Sequence, residues 1–226
     1  MQYTEEIIWG LFENVRSRLT YLAVHGSYLQ KHNFEAKDID LIAIFDVIDP
    51  CIINEMQNIH MRHPFIHILP YGDAEIKVYP PYNTMQFFMM AKVIYGSLPI
   101  SAPDINDLIY YLKSRLSDNV IIKVRNAYLR RGRSNVYSLK MLWPVVQKEI
   151  NWWWRNYIYI TSGEILYDKT ELVSKINFPV IRDLLLVENI FVDQCQEQIM
   201  YQLEQGIEVM VKCLNEVVYR QQNDEL

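Results

Sequence analysis

The sequence predicts an α+β protein in two parts. Residues 1–100 read as an α/β domain with a small mixed sheet, and residues 101–226 as an all-helical domain. Three observations carry this. The apolar runs Tyr21–His25 and Asp38–Phe45 are short and bounded by turn residues, as strands are. From Asn83 onward apolar residues recur mostly at three- and four-residue spacing, as on helices. The change falls at GSLPISAPD, residues 96–104, without a long linker, so the halves are expected to pack closely around a cleft.

Thr4–Leu19 is predicted as an amphipathic helix, with Ile8, Leu11, Phe12, Val15 and Leu19 on one face and Thr4 as N-cap. Tyr21–His25 is the first strand and Gly26-Ser27 breaks it. Tyr28–Phe34 reads as a short helix, Asp38–Phe45 as the second strand and Ile52–Met61 as a helix. His63–Tyr79 reads as two short strands turning at Tyr71-Gly72-Asp73. The later one, Ala74–Tyr79, alternates apolar and polar residues and ends at Pro80-Pro81. Helices are then expected over Thr84–Tyr95, Asp104–Leu116, Asp118–Arg130, Val136–Thr161, Lys169–Ile176, Pro179–Val187 and about Val192–Arg220. Pro144 should kink or divide the fourth of these, and Asp168 with Glu171 should cap the fifth.

Half of the 226 residues are hydrophobic, enough for a substantial core. The net charge of −5 argues against bulk binding to nucleic acid or an anionic membrane. Cys51, Cys195 and Cys213 are few, odd in number and set among apolar residues, which suits reduced thiols in the cytoplasm. The acidic start MQYTEEII does not read as a signal peptide, and no run of 18 apolar residues offers a membrane span.

The chemistry concentrates between Gly26 and Asp40. Side chains two apart on a strand share a face, so Asp38 and Asp40 project together from the mouth of a buried strand. Two such carboxylates repel unless a cation lies between them, and Mg²⁺ takes oxygen ligands in company with phosphates. Gly26 allows a phosphate close to the backbone, and Ser27 adds a hydroxyl at a possible helix start. A third carboxylate is expected from a neighbouring strand. Glu75, within the alternating run AEIKVY, fits; Asp73 competes but is explained by turn chemistry. The plainer alternatives are a solvated strand start for the aspartates, an ordinary turn for Ser27, and an exposed Glu75 paired with Lys77.

Gly26-Ser27, ten intervening residues, then Asp38-Ile39-Asp40-Leu41 resembles the signature of the nucleotidyltransferase superfamily related to DNA polymerase β. Glu75 in its apolar setting matches the third acid of that pattern. A weaker similarity extends into the helical half. Ile94-Tyr95-Gly96 with its following Pro-rich step, Arg155 through Thr161-Ser162-Gly163-Glu164-Ile165, and Phe178-Pro179-Val180-Ile181 are similar to aminoglycoside nucleotidyltransferases acting on streptomycin and spectinomycin. The resemblance implies that Asp38 and Asp40 hold Mg²⁺. Glu75 would complete the metal site or act as general base. The donor would be an NTP, foremost ATP, and the acceptor a hydroxyl on a small molecule. Lys37 stands where the family often has Ser, His32-Asn33 near the place of a second glycine, and Tyr157 where the drug-contacting aromatic is a tryptophan. These departures bear on the acceptor more than on the chemistry.

The segment Lys123–Lys140 carries six basic residues and no acid. It reads either as a solvated helix end and loop, or as a patch from which Arg131, Arg133 or Lys140 reaches a triphosphate or an RNA backbone. The second option keeps open a macromolecular acceptor, a tRNA end or a protein side chain of a toxin–antitoxin pair. A catalytically silent nucleotide-binding module is the remaining alternative. Glu149 and Glu164 would suit a cationic acceptor. Pro64 and the lack of a nearby Cys argue against zinc at His60, His63 and His67. Trp152-Trp153-Trp154 cannot share one helix face, so at least one is expected in the core. The helical half contains no histidine, which removes the ribonuclease signature of some helical partners of small nucleotidyltransferases.

Overall fold

The computed structural model describes residues 4–29, 38–79, 87–88, 91–129, 139–187 and 196–223, and the architecture is α+β. The chain divides into two compact units, Met1–Pro103 and Asp104–Leu226.

The first unit is built on a four-stranded sheet. Its strands are β1 (Leu19–His25), β2 (Ile39–Phe45), β3 (Ile66–Gly72) and β4 (Ala91–Gly96), in the spatial order β3-β2-β1-β4. β1 runs antiparallel to β2 and β4, and β2 runs parallel to β3. The parallel step needs a crossover, supplied by α2 (Pro50–Arg62). Asp49 caps that helix by accepting from the Ile52 N–H at 3.0 Å, and Pro50 sits where an N–H would be orphaned.

Strand alternation sorts the sheet into two faces. Leu22, Val24, Ile39, Leu41, Ala43 and Phe45 pack against α1 (Glu5–Gly10), the 3₁₀ turn Glu13–Arg18 and α2. Tyr21, Ala23, Ile42 and Ile44 pack on the other side with Ile76 and Phe87. The predicted helix Thr4–Leu19 is broken: α1 ends at Gly10, the 3₁₀ turn follows from Glu13, and Leu19 already belongs to β1.

Two further expectations are corrected. Ala74–Tyr79 is not a second strand: Asp73–Lys77 forms a short helix, α3, directly after β3. The Glu75 carboxylate accepts from the Gly72 N–H at 2.7 Å, closing the helix start that alternation alone does not reveal. The described end of the predicted helix Thr84–Tyr95 is instead β4, paired with β1 from His25↔Ala91 to Tyr21↔Gly96. Val93, Ile94 and Tyr95 are good strand formers, and the open edge of β1 offers the hydrogen bonds. Gly96 ends β4 at φ +73°, where an added Cβ would lie 2.0 Å from the Thr20 carbonyl oxygen.

The second unit is helical. α4 (Ile105–Ser114), a π-helical segment (Arg115–Ile121) and α5 (Ile122–Leu129) follow one another without a break. α6 (Leu139–Ser162) runs through Pro144 undivided. α7 (Lys169–Lys175) starts at Asp168, whose carboxylate accepts from the Thr170 and Glu171 N–H groups. α8 (Pro179–Leu186) and the long α9 (Gln196–Gln222) complete the described part. Trp143, Trp153 and Trp154 lie in its core. Trp153 donates its indole N–H to the Leu112 carbonyl at 3.0 Å and stacks on Tyr157 with centroids 5.5 Å apart.

Candidate active site

Gly26 closes β1 at φ +79°, in the left-handed region that glycine enters without penalty. A Cβ at this position would meet Asp40 Oδ2 at 3.0 Å. The turn backbone and the Asp40 carboxylate are therefore in close approach, although twelve residues separate Ser27 and Asp40 and are bridged by β1–β2 pairing rather than by proximity in sequence. Asp38 stands one residue ahead of β2, and strand periodicity gives it the face of Asp40. The Ile39 N–H between them donates to the Phe65 carbonyl at 2.8 Å, which ties the mouth of β2 to the start of β3. Both aspartates are half-buried, open enough to meet a ligand.

The structure does not bring Glu75 to this pair. Gly72, to which its carboxylate is bonded, is the register partner of Phe45. Phe45 lies five residues beyond Asp40 on a strand rising about 3.3 Å per residue, so that end of the sheet is about 17 Å away. Asp73 is at the same end, paired with Lys77 within α3. The two strands that do flank Asp40 read LTYLAVH and IHILPYG and hold no acid. Among the described residues, no three His, Cys, Asp or Glu side chains gather into a cation site. That includes His60, His63 and His67; the His60 Nδ1 instead lies 3.1 Å from the Ile66 carbonyl.

Two carboxylates beside a phosphate-approachable turn still fit Mg²⁺. This ion is usually held by one or two carboxylates, with waters and substrate phosphates filling the other positions. Asp38 and Asp40 are the residues that would hold it. The side chains of Ser27 and Lys140, and all of Arg131 and Arg133, lie outside the described residues. Of the basic segment, Arg125 is described and forms an ion pair with Glu204 at 3.2 Å.

The acidic candidates of the helical unit are engaged locally. Glu149, 9% exposed, pairs with Arg115 at 2.5 Å, and that guanidinium lies 4.9 Å over the Tyr111 ring. Glu164 pairs with Lys175 at 2.8 Å. Arg155 is 3% exposed and donates to Asn151 Oδ1 at 2.6 Å and to the Leu166 carbonyl. Burial pulls its guanidinium down to about 10, against the opposing pull of Asp168 and Glu171. It is thus committed to holding the loop after α6. An open groove of about 1110 Å³ runs between α5 and α9, lined by Ile121, Arg125, Val211, Lys212 and Tyr219 among others. Of the predicted site residues whose side chains are described, none lines it.

The site neighbour that sequence reasoning passed over is His67. It is the β3 register partner of Asp40, as His25 is on β1. Only the pairing of β2 with β3 reveals this, because 26 residues and a helix intervene.

No protein-family model matches the chain, and no curated protein is similar to it. Among solved structures, it is similar to two crystal structures of variants of the toxin–antitoxin MntA-HpeT. In one the identity is 14% over 58% of this chain, with a TM-score of 0.33. In the other it is 16% over 59%, with a TM-score of 0.32; both cover 100% of the matched chain. At that TM-score the likeness carries no argument about this chain, whose function is read from its own residues.

Proposed function

We propose that this chain is a Mg²⁺-dependent nucleotidyltransferase. It moves a nucleoside monophosphate, AMP from ATP, to a hydroxyl of a small molecule, with an aminoglycoside-like acceptor as the leading class. The observation that supports this is the approach of the Gly26 turn to the Asp40 carboxylate, with Asp38 on the same face. The acceptor oxygen attacks the α-phosphorus and forms a new P–O bond. The bond to the β-phosphate breaks and pyrophosphate leaves. Mg²⁺ on Asp38 and Asp40 would supply charge neutralisation at the phosphates. Gly26 and Ser27 lend backbone on which the triphosphate rests. Glu75 has no part in the proposal, being bonded to Gly72 at the far end of the sheet.

One observation favours a second reading, in which the hydroxyl belongs to a tRNA end or a protein. It is the unbroken basic character of Lys123–Lys140 in an otherwise acidic chain. A nucleic-acid acceptor would bind steeply less well as salt rises.

Incubation with α-labelled ATP and Mg²⁺, against streptomycin, spectinomycin, bulk tRNA and a cell lysate, tests both. Label transfer by the wild type should vanish in Asp38→Asn/Asp40→Asn. Transfer that survives in this double variant would overturn the metal-site assignment.

A further inference from the structure

The groove between α5 and α9 holds about 1110 Å³ and lies within the helical unit. Ile121, Ile207, Val211 and Tyr219 give it an apolar floor, and the last two are 38% and 63% exposed. Three acids and three bases also line it: Glu204, Glu208 and Glu216 against Arg125, Lys212 and Arg220. Arg125 and Glu204 neutralise each other across the two helices at 3.2 Å. The other four all belong to α9 and follow at four-residue spacing with alternating sign, in the order Glu208, Lys212, Glu216, Arg220. Residues four apart on a helix are surface neighbours, so these charges form one row beside the apolar floor.

We propose that this groove is a self-association surface, occupied by α9 of a second copy of the chain. The order of the charges carries the argument. A row that reads negative, positive, negative, positive is reversed in sign when read backwards. Laid antiparallel on itself about a two-fold axis midway between Lys212 and Glu216, it sets every acid opposite a base. Lys212 meets Glu216 of the second copy and Arg220 meets its Glu208, and the symmetry repeats both pairs. A two-fold contact uses the same patch on both copies, so it requires a face that complements its own inverted image.

The apolar residues agree with the charges. The midpoint of Val211 and Tyr219 is Asn215, one residue from that axis, so Val211 of each copy comes to Tyr219 of the other. An antiparallel pair of this kind packs with helix axes about 8–10 Å apart, close enough to bury both side chains. A nucleic acid or an anionic lipid surface suits the groove less well. Either needs a positive face, whereas three acids cancel three bases here.

Sedimentation velocity of the full chain over a wide range of concentration tests this. The wild type is expected to dimerise reversibly. Lys212→Glu opposes two acids in each copy's contact and Glu216→Lys opposes two bases, so either variant alone should raise the dimer Kd on the order of tenfold or more. An equimolar mixture of the two variants should regain wild-type association, because Glu at 212 then faces Lys at 216 in both halves of the mixed dimer. Mixing cannot repair an ion pair within one helix, so this arm separates a contact between copies from ordinary pairing of neighbours four apart. The double variant Lys212→Glu/Glu216→Lys should likewise dimerise as the wild type does, and Tyr219→Glu should dissociate the pair. A wild type that stays monomeric at every concentration overturns the proposal. So does a dimer whose Kd neither single variant moves, or a mixture that associates no better than its components.

Discussion

Substituting Gly26 by alanine separates the turn from the carboxylate it touches. The first cost is conformational, because φ is +79° and an L-residue in the left-handed region is disfavoured by about 1–2 kcal/mol. The second is steric. The new Cβ would stand 3.0 Å from Asp40 Oδ2, inside the ~3.5–4.0 Å of ordinary contact. The clashing atom is the end of a side chain, so the relief is a shift of the carboxylate and not a break in the sheet. Stability should therefore fall by no more than about 2 kcal/mol, with Tm dropping roughly 4–8 °C per kcal/mol for a unit of this size. Transfer should suffer more, on the order of 10²-fold, because a displaced ligand misplaces the reacting groups. Gly26→Asn is the informative partner. Asparagine tolerates the left-handed region better but keeps the Cβ, so it should recover stability without recovering transfer. Differential scanning fluorimetry and label transfer measure the two effects. Wild-type transfer in Gly26→Ala, or transfer regained together with Tm in Gly26→Asn, would refute the reasoning.

Other changes probe the frame. Gly96→Ala should cost about 3–4 kcal/mol, because its Cβ would lie 2.0 Å from the Thr20 backbone carbonyl, which cannot swing aside; chemical denaturation reads this, and a cost near zero would contradict the β1–β4 pairing. Arg155→Met removes the donor to the Leu166 carbonyl and the charge facing Asp168 and Glu171. A loss of about 3 kcal/mol is expected in urea unfolding, with little relief from Arg155→Lys, which lacks the planar fork. Burial pushes the Tyr21 phenol up to about 12. Its folded value lies above the unfolded one of about 10, so the stability this linkage contributes is fully present below pH ~10 and is lost as pH rises through ~12. Tyr21→Phe should accordingly flatten the alkaline fall of stability, and an unchanged alkaline limb would speak against a buried phenol.

Local physics explains which parts of the fold were legible. Gly26-Ser27 and the run from Asp38 to Phe45 announce a turn and a buried strand through one φ requirement and a period of two. Thr4 and Asp168 announce helix starts through capping. The run AEIKVY has a strand-like alternation, yet its short length also suits a turn of helix. The Gly72–Glu75 hydrogen bond decided for helix. AKVIYG was absorbed into a predicted helix because the edge of β1 that claims it lies some seventy residues earlier.

The sequence by itself determined one side of the candidate site: the turn glycine, the two aspartates on one face, and the strand that holds them. These depend on backbone conformation and alternation, both local. Only the tertiary structure decided what stands beside Asp40, because strand register is set by which faces can be buried together over long range. That register made His67 and His25 the cross-strand partners of Asp40 and carried Glu75 to the other end of the sheet.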